Sequence, residues 1–480
     1  MSSSELYGAY STLVESIAQT PVSTDTFIYF IGTCASGELH KAHLITSMSD
    51  YAQKLGGAIG DGHNLTDAAI AAFNVAGLNH VYMIPVSHDL DADSEDYLGD
   101  AETFTGIYAL EAQLRDNPTI TNLVCLPNVH DSSVLQAALG LCKKADGHWD
   151  SFMVYDIPFD ASHINARGYA QVDDIVEDKQ ISDEQAKAVW GTPLIGGQTV
   201  SGAAVQACIM AKSDASYGVP ARCGGNLPVS GMQGVAHIDI DVVECDRHSG
   251  SPGGEYAIAP LKVDAATIPY DDDTEYSIEN IDMITGTISN PELVKNDGNL
   301  CVKFVPPSDE GYQFVLTYRA VKRYDIIIPQ ASGTQLSADG VCSWINYSGQ
   351  FCTWGDHTSA FSGGAILDER GRFDNSIRML QMIINRFQMK YRFSIDDPMT
   401  LSMRDSVIDE EITYMYTLVA RGGLIGDPVC EFKAVENPVD QVAQGYFTFS
   451  IQATPTIPSK FMLAKVAYSQ AGLAVYAEAA

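Results

Sequence analysis

Positive charge is what this chain of 480 residues has least of. Its 28 lysines and arginines stand against 61 aspartates and glutamates, for a net charge of −33. That balance argues against nucleic-acid binding, which needs a concentrated basic surface to neutralise phosphate. It equally discourages adhesion to anionic membranes. It keeps a concentrated protein soluble but makes self-association costly, so a homopolymer must bury its contacts away from the acidic exterior. Long apolar runs are missing too: Phe27–Ile31 is strand-sized, far short of a membrane span. Met1–Glu5 lacks the basic-then-apolar order of a secretion leader, and the expected compartment is the cytoplasm of the producing cell. The ten cysteines, from Cys34 to Cys430, contain no Cys-x-x-Cys pair and read as reduced, mostly buried small residues.

Catalytic signatures are absent as well. No Gly-rich turn carries the Lys-Ser/Thr of a phosphate loop, and Gly56–Gly62 reads as a turn. Neither a Gly-x-Ser-x-Gly elbow nor a His-Glu-x-x-His helix occurs. His40 and His43 flank a Lys-Ala pair in a surface turn, without the ligand cluster of a metal site. Cys352 and His357 are separated by Trp354-Gly355-Asp356, better explained as a packed turn than as a thiol–imidazole pair. Asp89, Asp91, Asp93 and Asp100 have calcium-loop spacing. Ser94 replaces the turn glycine and Asp100 the final glutamate, so the stretch reads as a solvated linker.

What remains is an ordinary globular composition, 46% hydrophobic and 19% charged, long enough for two to four domains. After a polar lead, in which Tyr7–Val14 could form a strand against a supplied edge, Thr26–Gly32 reads as a buried strand. Asn64 is expected to cap a helix over Leu65–Val75 that Gly77 stops, and His80–Val86 is the next strand. A second α/β run follows: helix Thr105–Arg115, strand Thr121–Leu126, helix Ser132–Lys144 and strand Ser151–Tyr155. Helical stretches are expected over Ser182–Val189 and Thr199–Lys212. From Ala236 to Asp339 short strands alternate with Gly, Pro and acidic clusters, which predicts a small antiparallel β domain.

The last third carries separated signatures in one order. Gly349-Gln350-Phe351-Cys352-Thr353-Trp354-Gly355 and Thr358-Ser359-Ala360 precede a helix around Asn375–Phe393. Ile395-Asp396-Asp397-Pro398, a helix over Asp405–Ala420 and Gly422-Gly423-Leu424-Ile425-Gly426 follow. Next come Glu436-Asn437-Pro438 with Gln441, a strand over Tyr446–Ala453, and Pro455-Thr456-Ile457-Pro458-Ser459-Lys460-Phe461. This order resembles the C-terminal region of contractile tail sheath proteins, from phage tails and related injection machines. Gly8-Ala9-Tyr10, Ile45-Thr46-Ser47 with Asp50-Tyr51, Gly56-Gly57 and the passage from Ala211 to Asn226 extend it to about three quarters of the chain. Two features depart from the family: Ala9 stands where Val is usual, and Ile84-Pro85-Val86 replaces an Arg-Val strand ending.

The resemblance implies a multidomain α/β (α+β) protein. Its sheath core would be built from 25–100 with 341–455, joined to a middle α/β region, 101–235, and an outward-facing, mostly antiparallel β insertion, 236–340. Two arms, 1–24 and 456–480, would pair with neighbouring subunits. The inter-subunit strands would be Tyr10, Ser11, Thr12, Leu13 and Val14 at one end, and Phe461, Met462, Leu463, Ala464, Lys465, Val466, Ala467 and Tyr468 at the other. It further implies sixfold rings stacked around a tube, contraction by rigid-body rearrangement, and neither cofactor nor active site. Partners would be the chain itself, a tail tube protein, and baseplate and tail terminator proteins, in a virion tail or injection particle assembled in the bacterial cytoplasm. Arg404 and Arg421 are the candidates for meeting an acidic tube, with Arg386, Lys390 and Arg392 as the alternative patch. Ordinary ion pairing and helix-end complementation compete with that reading. The rival classes are a capsid or surface-layer protein, and an α/β enzyme with a β insertion.

Overall fold

The apolar run near the start forms strand β1 (Phe27–Thr33), and its continuous hydrophobicity has a simple cause: both of its faces are covered. The computed structural model describes residues 26–90, 92–143, 149–165, 168–244, 248–249, 257–260, 262–263, 266–267, 274–277, 281–283, 289–296, 298–305, 313–366, 368–469 and 471. Strand β1 lies inside an eight-stranded sheet with β2 (His43–Ile45), β3 (Val81–Ser87), β4 (Asn122–Leu126), β5 (Phe152–Asp156), β6 (Ala186–Val189), β7 (Val341–Tyr347) and β8 (Gln350–Trp354). Their order is β2-β3-β1-β4-β5-β6-β7-β8. From β3 to β7 the pairs are parallel, and the antiparallel β2 and β8 close the two edges.

Local chemistry accounts for the N-terminal motifs. Helix α1 (Met48–Leu55) starts where the Ser47 hydroxyl accepts the Asp50 N–H, while the Asp50 carboxylate accepts the N–H of Thr46 at 3.0 Å. It ends at Gly56 in the left-handed region, and a side chain on Gly57 would strike the ring of buried Tyr51. Helix α2 (Asn64–Ala69) continues as a wider π turn over Ile70–Ala76 and stops at Gly77. Asn64 lies inside its first turn, not at its cap, and its amide donates to the Tyr97 hydroxyl at 2.7 Å. The Ile84-Pro85-Val86 departure sits at an irregularity. Gly32 pairs with Pro85 and Thr33 with Ser87, skipping Val86, so the missing proline N–H falls where the ladder is already broken. The acidic stretch after it is not a linker: Asp93 accepts the N–H groups of Glu95 and Asp96 and caps a helix over Ser94–Leu98 that buries Tyr97. His40 is likewise engaged, its Nδ1 accepting the Gly106 N–H at 3.0 Å.

Helices α3 (Ser132–Cys142) and α4 (Gly202–Tyr217) pack on the sheet with α2. Helix α4 is buried almost all round, which its glycine and alanine content permits. A Cβ on Gly202 would come within 2.6 Å of the Gly191 carbonyl.

Three expectations are corrected here. First, the proposed division between 25–100 with 341–455 and 101–235 does not hold for the sheet, because strands from all three stretches hydrogen-bond into it and share one hydrophobic core. Second, Ser182–Val189 is not helical: Ala186–Val189 is β6, held between β5 and β7. Tertiary pairing outweighs its helix-friendly alanines. Third, 236–340 is not wholly an insertion. Helix α5 (Gln330–Ala338) packs on β7, with Gly333 so close that a Cβ would lie 2.9 Å from Ile345. The antiparallel excursion is carried by Met232–Glu244 paired with Gln313–Ile326, with Ser289–Asn296, Asn299–Val305 and shorter strands beyond. It is rooted on Thr192–Ile195, which pairs with Met232–Glu244.

The C-terminal part adds helices α6 (Asp374–Tyr391) and α7 (Leu401–Ala420) and a two-stranded antiparallel ribbon, β9 (Leu424–Glu431) with β10 (Ser450–Pro455). The expected bounds shift: α7 starts four residues earlier, where Thr400 caps it, and the last strand covers 450–455, not 446–453. Helix α6 fixes this part to the sheet by buried polar groups. The Lys187 ammonium, on β6, lies 2.6 Å from the Asp374 carboxylate, and both side chains are fully buried. Lys187 also donates to the carbonyls of Gly355 and His357 at 2.9 and 3.2 Å, and Asp374 accepts the Gly224 N–H. Burial works against the ammonium, yet the adjacent Asp374 carboxylate holds its pKa above the ordinary lysine range.

Removing one partner of such a pair strands the other charge, at a cost of roughly 3–5 kcal/mol. Asp374→Ala is therefore expected to lower the urea unfolding midpoint far more than Asp368→Ala, whose partner Arg370 is exposed and whose pair is worth about 1 kcal/mol or less. Equal shifts for the two variants would refute this role.

Candidate assembly surface

Helix α6 buries polar residues alongside the apolar Ile377, Met379, Met382 and Ile383. Asp374, Arg378, Gln381 and Asn385, spaced four, three and four residues apart, form one stripe that faces inward and is buried. Arg378 pairs with buried Asp214 of α4, which also accepts the Thr26 hydroxyl at 2.7 Å. Gln381 donates to the Ser151 carbonyl at 2.9 Å. Asn385 accepts the Asp150 N–H at 3.0 Å and donates to the carbonyls of Asp150 and Ile120 at 2.7 and 3.2 Å. Meanwhile Leu380 and Phe387 are half-buried and Ile384 is exposed. This outward apolar stripe forms one wall of an open groove of about 1250 Å³. Val429, Phe449, Ile451 and Ala453 on and beside the ribbon form the other wall. Neither outer edge of the ribbon pairs with another strand among the described residues.

The chain ends in a segment of matching chemistry. Phe461, Met462, Leu463, Ala464, Lys465, Val466, Ala467 and Tyr468 are all exposed, with Met462 at 87% and Val466 at 93%. They form no strand with their own subunit. Tyr10, Ser11, Thr12, Leu13 and Val14 lie outside the described residues.

The signature residues of the last third mostly hold the body together. The Ser359 hydroxyl donates to the Asp183 carbonyl and accepts the Asp183 N–H, and the Ser359 N–H reaches Ala186, which ties Thr358-Ser359-Ala360 to the entry of β6. Asn437 accepts the Thr448 N–H at 2.7 Å and donates to the carbonyls of Thr448 and Lys433, closing the loop between β9 and β10. Gly355 has φ 152°, and a Cβ there would meet the Cys342 backbone at 2.6 Å. Cys352 points its thiol at the Gln350 carbonyl, away from any imidazole pairing.

The cations divide unequally. Arg386 pairs with fully buried Glu411 of α7, and Lys390 reaches Glu410 and Glu411. Both therefore belong to the α6–α7 contact. Arg404 is not a flank of α7 but part of its first turn; it pairs with neighbouring Asp405 and lies 5.9 Å from the Phe432 ring. Arg421 caps the other end, its guanidinium 3.4 Å from the Gly218 carbonyl. Seventeen residues of helix separate them by about 25 Å, so they are two points and not one patch. Among the described residues no cluster of three metal-ligating side chains occurs, and no helix is long and apolar enough to cross a membrane.

No family model and no curated protein matches the sequence. Solved structures do match. A chain of the contracted sheath complex of an extracellular contractile injection system, PVC, aligns over 98% of this chain and 99% of its own, at 13% identity and TM-score 0.57. A chain from the sixfold-symmetrised baseplate of the anti-feeding prophage aligns over 97% and 100%, at 14% identity and TM-score 0.56. A chain from the contracted baseplate of the same particle aligns over 97% and 99%, at 11% identity and TM-score 0.56. The chain has the contractile-sheath fold. The alignments cover 97–98% of this chain and so take in the β excursion that the sequence resemblance leaves out.

Within it lies one acid-sensitive joint. The His357 ring is stacked between Phe361 and Phe373, at centroid distances of 3.7 and 5.1 Å. Burial, opposed by the neighbouring Asp356 carboxylate, pushes its pKa down to about 4, and nearby Lys460 and Lys187 push the same way. A depressed histidine stabilises the fold fully above the unfolded value of about 6.5, and that contribution is lost as pH falls through the folded value. Stability is expected to decline between pH 6.5 and 4. His357→Gln should flatten that decline in thermal melts, and an unchanged slope would refute the assignment.

Proposed function

We propose that this chain is the structural subunit of a contractile sheath, polymerising as stacked sixfold rings around a tube and contracting to drive it through a cell envelope. The observation that carries the reading is the paired exposure of complementary parts in a chain with the sheath fold. An unpartnered apolar arm leaves the body at one place, and a groove with an apolar stripe and a charged rim opens at another, beside a ribbon whose edges pair with no strand among the described residues. Strand addition would satisfy both, since backbone hydrogen bonds supply adhesion and alternating side chains fill the groove. Adhesion of this kind suits an acidic subunit, because it draws little on surface charge. The arm residues Phe461–Tyr468, and Tyr10–Val14 at the other end, are assigned to neighbouring subunits on this reading.

Electron microscopy of the purified protein tests it. Long hollow sheaths are expected; flat lattices, shells or isolated particles would overturn it. Deleting Phe461–Ala480 should leave a monomer with the thermal stability of the full chain but no polymers, because the core strands are untouched. Intact sheaths from that truncation would remove the arm from the proposal.

Arg404 and Arg421 are assigned to an acidic tube as two separate contacts. Reversing both to glutamate should weaken decoration of tubes and leave empty sheaths intact, with the wild-type contact itself weakening as salt rises. Normal decoration by the double variant would refute the assignment.

A further inference from the structure

The C-terminal segment leaves β10 at Pro455 and crosses a cavity of about 790 Å³ whose walls include Arg222, Gln330, Tyr347 and Trp354. Two anchors hold its first residues. Thr456 donates its N–H to Gly423 at 3.0 Å and its hydroxyl to Gly422 at 2.6 Å, and its carbonyl accepts the Asn375 amide at 2.8 Å. Lys460 is the second anchor. Its ammonium donates to the Asp356 carboxylate and lies 3.3 Å from Nε2 of His357.

The receptor is built for an ammonium. The Asp356 side chain is only 8% exposed and also accepts the Ser337 hydroxyl at 3.2 Å. Nδ1 of His357 lies 2.9 Å from the Arg372 carbonyl, which can only accept, so Nδ1 carries the proton. Nε2 then presents a lone pair toward Lys460. A carboxylate, a lone pair and a ring fixed by stacking thus converge on one cation. Beyond it the contacts stop: among the described residues no hydrogen bond ties 461–469 back to the body, and every residue there is exposed.

We propose that Lys460, seated in the Asp356–His357 receptor of its own subunit, is the pin at which the C-terminal arm begins. Residues 456–460 then belong to the rigid body, and the arm is Phe461 onward. The pin sets the direction in which the arm is offered and carries a neighbour's pull into β8 and α6. This rests on the reading that the arm pairs with a neighbour, and Lys460 acts as a positioning residue.

The test uses the full chain with Lys460→Met, Lys460→Arg, and Lys460→Cys in a Cys245→Ser background. Alkylation of the last with 2-bromoethylamine rebuilds an ammonium at nearly the original length; the other nine cysteines are buried. Hydrogen exchange is read on dissociated subunits at the Thr456 N–H, which donates to Gly423. Lys460→Met is expected to speed exchange about tenfold or more, the scale of a lost charge-assisted contact. The aminoethylated protein should return to the wild-type rate, and Lys460→Arg should lie between. Polymerisation should slow in proportion to the exchange change. Unaltered exchange in Lys460→Met overturns the pin, as does lost protection with an unchanged polymerisation rate. Polymerisation of the Phe461–Ala480 deletion would instead defeat the arm reading, whatever the exchange result.

Discussion

The buried contact of Lys187 with Asp374 is the constraint on which the rest of this architecture depends. An ammonium and a carboxylate with no access to water persist only when each is fully solvated by protein. Here that requirement gathers β6, the turn around Gly224, the loop after β8 and the first turn of α6 at one point. None of these segments can shift without exposing or orphaning a charge. The C-terminal helices and ribbon are therefore tied to the sheet at that point.

Locking α6 through its polar side has a consequence for the other side. With Asp374, Arg378, Gln381 and Asn385 occupying part of the buried face beside Ile377, Met379, Met382 and Ile383, Leu380, Ile384 and Phe387 are left lining an open groove. The C-terminal segment shows the same imbalance, with Phe461, Met462, Val466 and Tyr468 all exposed. Contiguous exposed apolar surface marks a place of interaction. With a net charge of −33, subunits repel one another over the bulk of their surface. On the proposed reading, short-range burial and backbone pairing at these two places would join them.

Much was legible in the sequence. The apolar run at Thr26–Gly32, the stop at Gly77 and the order of motifs from Gly349 to Phe461 all reflect short-range chemistry. Turn, cap and strand preferences act between residues close in the chain, so they leave local marks. The polar stripe at Asp374, Arg378, Gln381 and Asn385 also had a mark, in its spacing. Its direction had none, because amphipathic periodicity gives a face without saying which face is in.

The sequence by itself determined an acidic α/β chain, with its first buried strand and the glycine stop at Gly77 marked locally. Only the tertiary structure decided that Ala186–Val189 is a strand, that strands from 27–189 and 341–354 share one sheet, and that α5 packs on that sheet instead of joining the β excursion. It alone brought Lys460 to Asp356 and His357 across more than a hundred residues. Those outcomes turn on contacts between distant segments, where a hydrogen-bonding edge or a buried counter-charge outweighs local preference. A linear pattern carries no record of which distant partner supplies it.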